Sequence, residues 1–559
     1  MLNFRTSIKR SKQEGITIVA LVITIIILLI LSGISINMVS GGEGIFGRAK
    51  NSALIYRNSV HNENIRLDDY ENEITKGDIG ANGVYNEKQR LNAPILKQGM
   101  TPVKFEIDEN NTDKMKIVPT TADDENWYNY KNKQWANAKT EDGSLWVWIP
   151  RYAYKLNKSN QTVDVVFLAG STDKYEDENN KMHSDTKRCM AEDEVIDTEK
   201  NYIVHPAFTN ESSINYRNGG WDSELYGIWV SKFEAAYASK DDDEKTKANV
   251  SDEKYNVSCG LNYSQDTVIA PRAVYAKYNS SATGNGPVPA RNHLDGIYGE
   301  TESKTASIKY PTFQGSSYSM NYINHNDAYL LSRSLTKEGN IYGLTADTDS
   351  HLIKNSEWGA TAYLSKSIYG INTYDIKINN KNIDNNSQNV YAATGYNSEG
   401  KEWNDASINI DKSSSTTGNI YGIYDMNGGT YERTASYIEN ELGKGQVSDY
   451  GESIANDKNT KYVMSYKSDE ASKMSADDSR STLNYDANDK VYGDAIYETS
   501  SSGTDKNSWN NNYSYFPEGT KPFFVRSGHF LDNKAAGIFC FSRDEGGAHY
   551  ITGFRAVLV

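Results

Sequence analysis

The sequence predicts an α+β protein: a long N-terminal helix, apolar first and amphipathic later, followed by a large loop-rich domain of short strands. Three observations predict it. No charged residue occurs from Ile16 to Gly42. Apolar and small residues then recur at steps of three and four as far as Ile74. Beyond residue 77, Tyr, Asn, Ser and Gly alternate with short apolar runs, which read as strands separated by turns.

The uncharged, Ile/Leu/Val-dominated run is long enough to cross a bilayer as a helix, which takes about 20 apolar residues. Arg5, Lys9, Arg10 and Lys12 precede it. A basic flank stays in the cytoplasm, so the expectation is a single-pass cell-membrane protein with its C-terminal domain extracellular. Gly41, Gly42, Gly44 and Gly47 loosen the chain after the span. Phe46, Ala49, Ala53, Tyr56, Val60, Leu67, Tyr70 and Ile74 then mark one face of a helix. Arg48, Lys50, Arg57, Arg66, Asp68 and Glu71 fall mostly off that face. Gly77 marks its stop.

The junction KQEGITIVALVITIIILLILSGISI resembles the class III leader of type IV prepilins and pseudopilins. The resemblance implies a basic leader over 1–15, cut after Gly15 by a prepilin peptidase, with Ile16 then methylated. Ala20 stands where that family usually has a Glu associated with subunit assembly. Processing is therefore implied more firmly than a pilus-like assembly. An uncleaved membrane anchor is the plainer reading.

The chain has 559 residues and a net charge of −15, with 40 Tyr and 42 Gly. The acidic balance, and the lack of a Lys/Arg cluster beyond the leader, argue against a nucleic-acid partner. Cys189, Cys259 and Cys540 are widely spaced and odd in number, which is no disulfide framework. No CxxC or HExxH pattern occurs, so a zinc site has no support. The domain plan is a leader over 1–15, a transmembrane helix over 16–40 and a stalk helix over 41–76. A connector with short strands covers 77–144, and the main domain 145–559.

The main domain opens with LWVWIPRYAYKL (145–156), a strand pattern with a bend at Pro150. GIWVSKFEAAY (227–237) is a second strand. Asn321–Leu335 has helical spacing, and so has Ser350–Tyr369, with Asn355 or Ser356 as its N-cap. The segment 443–512 is rich in Ser, Asp, Asn and Lys and reads as surface loops with little core.

Five motifs in order, WVWIPRY, GIWVSKFEA, IKNSEWGATAYL, YGIYDMNGGTYE and RSGHF…GFRAVL, resemble the formylglycine-generating-enzyme/sulfatase-modifying-factor superfamily. The likeness covers roughly 145–559 with large insertions and implies a variant of the C-type lectin fold. Glu357-Trp358 matches the family's E-W pair. Gly429 stands where its DM-x-G-N element has Asn, and Ser527 interrupts its Arg-Gly-Gly strand. Glu432 and Arg555 are candidates for a buried ion pair, with Arg526 another possible partner; the expected role is structural.

Oxidising relatives bind copper through a cysteine pair near the terminal G-F-R. Here only Cys540 lies in that region, inside GIFCF, where a small core residue is the commoner role. His325, His351, His529 and His549 show no metal-ligand spacing. Catalysis and cofactors are therefore not expected, and no catalytic or metal residues are assigned. The active oxidase is the alternative from another class, and a structural minor pilin a third. Trp403-Asn404-Asp405 is similar to a lectin calcium motif but would supply few of the oxygens calcium needs, so a structural calcium is a minor possibility.

The C-terminal segment also resembles the variable proteins of diversity-generating retroelements, which use this fold for binding. Phe524, Gly528, Phe539, Phe541, Phe554 and Arg555 read as scaffold. Ser527, His529, Leu531, Asp532, Asn533, Lys534, Ser542, Asp544, Glu545, His549, Tyr550 and Ile551 read as ligand-binding candidates. They mix polar, charged and aromatic types, as an adaptable binding face does. The implied partner is a protein or glycan ligand.

Overall fold

A computed structural model describes residues 85–108, 111–189, 194–210, 220–237, 311–314, 320, 323–373, 415–440, 443–457, 461–469, 479–504, 507–529, 532, 535–549 and 551–559. In chain order the principal strands begin with β1 (Thr101–Asp108), β2 (Asn111–Pro119), β3 (Asn137–Lys139) and β4 (Leu145–Pro150). They continue with β5 (Tyr152–Asn157), β6 (Thr162–Phe167), β7 (Ile203–Val204) and β8 (Gly227–Ser231). Helix α1 (His325–Arg333), β9 (Ser350–Leu352) and α2 (Asn355–Ser365) follow, then β10 (Tyr431–Glu439). After these come α3 (Lys444–Tyr450), α4 (Glu452–Asn456), β11 (Met464–Lys467) and α5 (Ser479–Asp486). The chain closes with β12 (Phe523–Arg526), β13 (Phe541–Asp544), β14 (Thr552–Phe554) and β15 (Ala556–Leu558).

Two sheets organise the molecule. The larger, antiparallel throughout, has the order β9-β15-β8-β4-β3-β1-β2. Every residue of β4 and of β8 is buried, so these central strands read as continuous apolar runs rather than as alternating ones. Trp148 faces Trp229 across the β4–β8 pair, with ring centroids 5.3 Å apart. The stretch 77–144, read from sequence as a connector, supplies β1, β2 and β3 to this same sheet.

The second sheet runs β11-β10-β12-β13, with β14 beside β10. The stretch Thr552–Leu558 links the two sheets. Strand β14 lies parallel to β10, Glu432 opposite Gly553, and β15 then pairs with β8 and β9 in the larger sheet. Arg555 sits at the crossover. A smaller sheet, β7-β5-β6, extends past the bend after Pro150.

Helix α2 is wedged inside, with every residue buried. Ser350–Leu352 pairs as strand β9, so the helix does not begin at Ser350; its N-cap is Lys354, one residue before the expected Asn355. Glu357 Oε2 accepts the Lys354 N–H at 2.9 Å, and Oε1 lies 2.8 Å from His351 Nε2. Trp358 donates Nε1–H to the Ile538 carbonyl at 2.7 Å. The guanidinium carbons of Arg526 and Arg555 lie 5.4 and 5.8 Å from its ring centroid.

Two expectations are corrected. The segment 443–512, expected to be loops with little core, contributes α3, α4, β11 and α5. Met464, Tyr466, Tyr485, Val491 and Ile496 form a separate apolar core with Phe516, Phe524 and Phe541. The expected fold class is corrected too. The described protein is mostly β and loop-rich, with short helices, and no helix among the described residues is long and apolar enough to cross a membrane. The 11 residues of α2 span about 16 Å at ~1.5 Å per residue, against a hydrocarbon core of about 30 Å. The single-pass membrane arrangement therefore has no support in the structure. The leader, with Gly15 and Ile16, the 16–40 span and the 41–76 stalk lie outside the described residues.

Candidate binding face

The buried frame comes first. Arg555 donates Nε–H to Glu432 Oε2 at 2.5 Å and Nη2–H to Oε1 at 2.6 Å, with both side chains fully buried. Its other donors reach the carbonyls of Ser231 at 3.1 Å and Tyr424 at 2.9 Å. Burial works against the guanidinium charge, but the Glu432 carboxylate outweighs it and holds Arg555 above its ordinary value. Arg526 has no bonded carboxylate. It donates to the carbonyls of Cys540, Asp494 and Ala495 at 2.9–3.0 Å. Burial pulls it down to about 10.

Lys232 is a third buried cation. Its Nζ donates to Asn137 Oδ1 at 3.0 Å and to the carbonyls of Ile420 and Gly422 at 2.6 and 2.7 Å. Burial drives its pKa well down, yet three acceptors match the three N–H bonds of an ammonium. The hydrogen-bond geometry is that of the charged form. Two residues further on, Glu234 accepts the Thr430 N–H at 3.0 Å and the Thr430 hydroxyl at 2.8 Å. Gly429 has φ +85°, and a Cβ there would meet Glu234 Oε1 at 2.8 Å, so a side chain would be strained and would crowd that carboxylate.

On this frame, two loops rise on either side of Tyr431. The first follows β12. Ser527 and Gly528 both adopt left-handed backbone, φ 76° and 74°. The Ser527 hydroxyl faces the carbonyls of Gly428 at 2.8 Å and Thr430 at 3.1 Å. That turn sends His529 against Tyr431, with ring centroids 4.8 Å apart and edge to face. Asp532 Oδ2 accepts the His529 N–H at 2.9 Å, and its Oδ1 lies 3.4 Å from His529 Nε2. Asp532 also hydrogen-bonds the Tyr431 phenol, whose pKa is raised chiefly by burial.

The second loop, 545–551, joins β13 to β14. Tyr431 N–H donates to the Ile551 carbonyl at 2.7 Å. The two loops are close enough for their imidazoles to interact. His529 is lowered by burial first and by His549 further, against the pull of Asp532. His549 is lowered by burial, against Asp544 and Glu545. Beside them Tyr513 and Tyr515 stack at 5.8 Å and 24°, and the Arg543 guanidinium covers Tyr515 at 3.9 Å. Burial pushes the Tyr513 phenol up to about 12, with Asp532 contributing.

The candidate residues therefore separate. His529, Asp532 and Ile551 are half-buried and Glu545 and His549 exposed, on or beside this face. Ser527 is fully buried and Ser542 is 7% exposed, opposite Val525 in the sheet, so neither is displayed. Asp544 is committed to Arg433 at 2.8 Å. Leu531, Asn533, Lys534 and Tyr550 lie outside the described residues, as do Cys259 and Trp403–Asp405. Tyr431, Tyr513, Tyr515 and Arg433 are not among the binding candidates the sequence offers. The Tyr-x-Tyr spacing of 513 and 515 was the one available signal, since alternate residues of an extended chain share a side.

Cys540 is fully buried and burial raises its thiol well above the ordinary value. Cys189 is buried likewise, and neither is in a disulfide. Among the described residues no cluster of three or more His, Cys, Asp or Glu could hold a metal ion.

No family model matches the chain, and no curated protein matches it.

Proposed function

We propose that residues 83–559 form a non-catalytic binding module whose ligand, a protein or a glycan, is met by the two loops around Tyr431. The observation that carries this reading is the division of residues 524–558. Phe524, Phe539, Phe541, Phe554 and Arg555 are fully buried. His529, Asp532, Glu545, His549 and Ile551 of the same segment lie around Tyr431, the first two in direct contact with it. Rigid aromatics beside adaptable polar groups are the composition of a recognition surface. The burial of Cys540 supports the non-catalytic part, because a thiol held protonated in a core is a poor nucleophile.

The test is binding of the full chain to glycan and peptide arrays, alongside a His529→Ala/His549→Ala/Tyr513→Ala variant. A ligand retained by the parent and weakened by on the order of tenfold or more in the variant is the expected result. Equal binding by both overturns the assignment of this face. Copper-dependent oxidation of a cysteine peptide by the parent overturns the non-catalytic reading.

A further inference from the structure

We infer that Arg433 is the positioning residue of the 545–551 recognition loop, setting its shape from beneath. The inference rests on the reading of that loop as part of a binding face. Arg433 lies on β10 and is fully buried. Its Nη1 donates to Asp544 Oδ1 at 2.8 Å, where the loop begins. Its Nη2 donates to the Gly547 carbonyl at 2.5 Å, in the loop, and to Thr552 Oγ1 at 3.1 Å, where the loop ends. Nε donates to the Ile323 carbonyl at 3.0 Å, and Nη1 also lies 3.3 Å from His325 Nδ1. One rigid fork thus grips start, middle and end of the loop and fastens them to the segment entering α1.

The surrounding chemistry is consistent with a clamp. His325 Nε2 lies 2.7 Å from the Thr434 carbonyl, so Nε2 carries the proton and Nδ1 is left to accept from Arg433. Asp544 Oδ1 also accepts the Gly546 N–H at 2.6 Å, and Gly546 in turn accepts the His325 N–H at 2.9 Å. The loop itself, Glu-Gly-Gly-Ala-His-Tyr-Ile, has two adjacent glycines and little stiffness of its own. A buried guanidinium with a single carboxylate partner is costly unless its remaining N–H groups are bonded. Here the loop supplies those acceptors, and the cation and the loop order each other.

The test is amide hydrogen exchange on the full chain carrying Arg433→Lys, which keeps the charge and loses the fork. Exchange over 545–551 is expected to quicken by on the order of tenfold, with β4 and β8 unchanged. Asp544→Ala and Thr552→Val each remove one anchor, cover the case where the lysine variant does not fold, and are expected to give a smaller acceleration confined to the loop. Glu545→Ala and His549→Ala are expected to leave exchange in β4 and β8 unchanged and to lower the thermal midpoint by less than Arg433→Lys does. Acceleration spread equally through β4 and β8, no acceleration in the loop, or a midpoint lowered by His549→Ala as far as by Arg433→Lys would each overturn the inference. The readout needs no ligand, so a failed array experiment and a failed clamp are told apart.

Discussion

At the scale of single residues, buried cations are held by oxygens with matched geometry. Arg555 is the strongest case, because Glu432 and the carbonyls of Ser231 and Tyr424 surround it. Removing one partner of such a pair strands the other charge in the core, at about 3–5 kcal/mol. Arg555→Met is therefore expected to lower unfolding free energy by about that amount, read by denaturant titration. An unchanged midpoint would show the pair to be dispensable. Lys232→Met strands Asn137 Oδ1 and two carbonyls, each costing about 1–3 kcal/mol if left unbonded. Its loss is expected to exceed that of a surface lysine by about 3 kcal/mol in the same assay. The two positions differ in legibility. Glu432 and Arg555 stand in recognisable motifs, so their association could be suggested from sequence. The acceptors of Lys232 are mostly backbone carbonyls, and a carbonyl has no sequence signature.

At the scale of elements, the strands of greatest burial were the most legible. LWVWIP and GIWVS are short runs dense in tryptophan and β-branched residues, and they form the centre of the larger sheet. The segment 443–512 was illegible for the opposite reason. Its core residues, such as Met464, Tyr466 and Val491, are single apolar positions among polar ones, and long-range packing rather than local period decides their burial. The loops of the binding face were legible in composition but not in direction, which is why Ser527 and Ser542 look displayed in sequence and are buried in the fold. Helix α2 gives a sharper test of packing. A Cβ on Gly359 would lie 1.9 Å from the Gly493 carbonyl oxygen, too close for side-chain rotation to relieve. Gly359→Ala is expected to cost about 1–3 kcal/mol by overpacking, although alanine favours helices. A gain in thermal midpoint would contradict the close contact between α2 and the 493 turn.

At the scale of the whole molecule, buried titratable groups tie stability to pH. Burial raises Glu498 to about 7, although Tyr154 and Tyr363 hydroxyls donate to it at 2.7 and 2.9 Å. Asp494 is raised to about 6 for the same reason. A carboxyl with a raised folded pKa contributes stability below its unfolded pKa and loses it as pH rises through the folded value. His205 and His325, both lowered by burial to about 3, act with the opposite sign and lose stability as pH falls below about 6.5. The clean observable is therefore the difference between parent and Glu498→Gln. Relative to the variant, the parent is expected to weaken between pH 4.5 and 7 by on the order of 1.4 kcal/mol per pH unit at most, read by thermal unfolding. A difference that stays flat across that window would place Glu498 in its charged form throughout.

The crossover of β14 and β15 between the two sheets also bears on how the chain reaches this structure. Leu558 must find Trp229 and Ser350, and Thr552 must find Tyr431, before either sheet has its full complement of strands. Loop closure over such distances delays the reward of pairing, and topologies of this kind acquire their native state slowly. Refolding by dilution is thus set to be sluggish and prone to aggregation at high protein concentration.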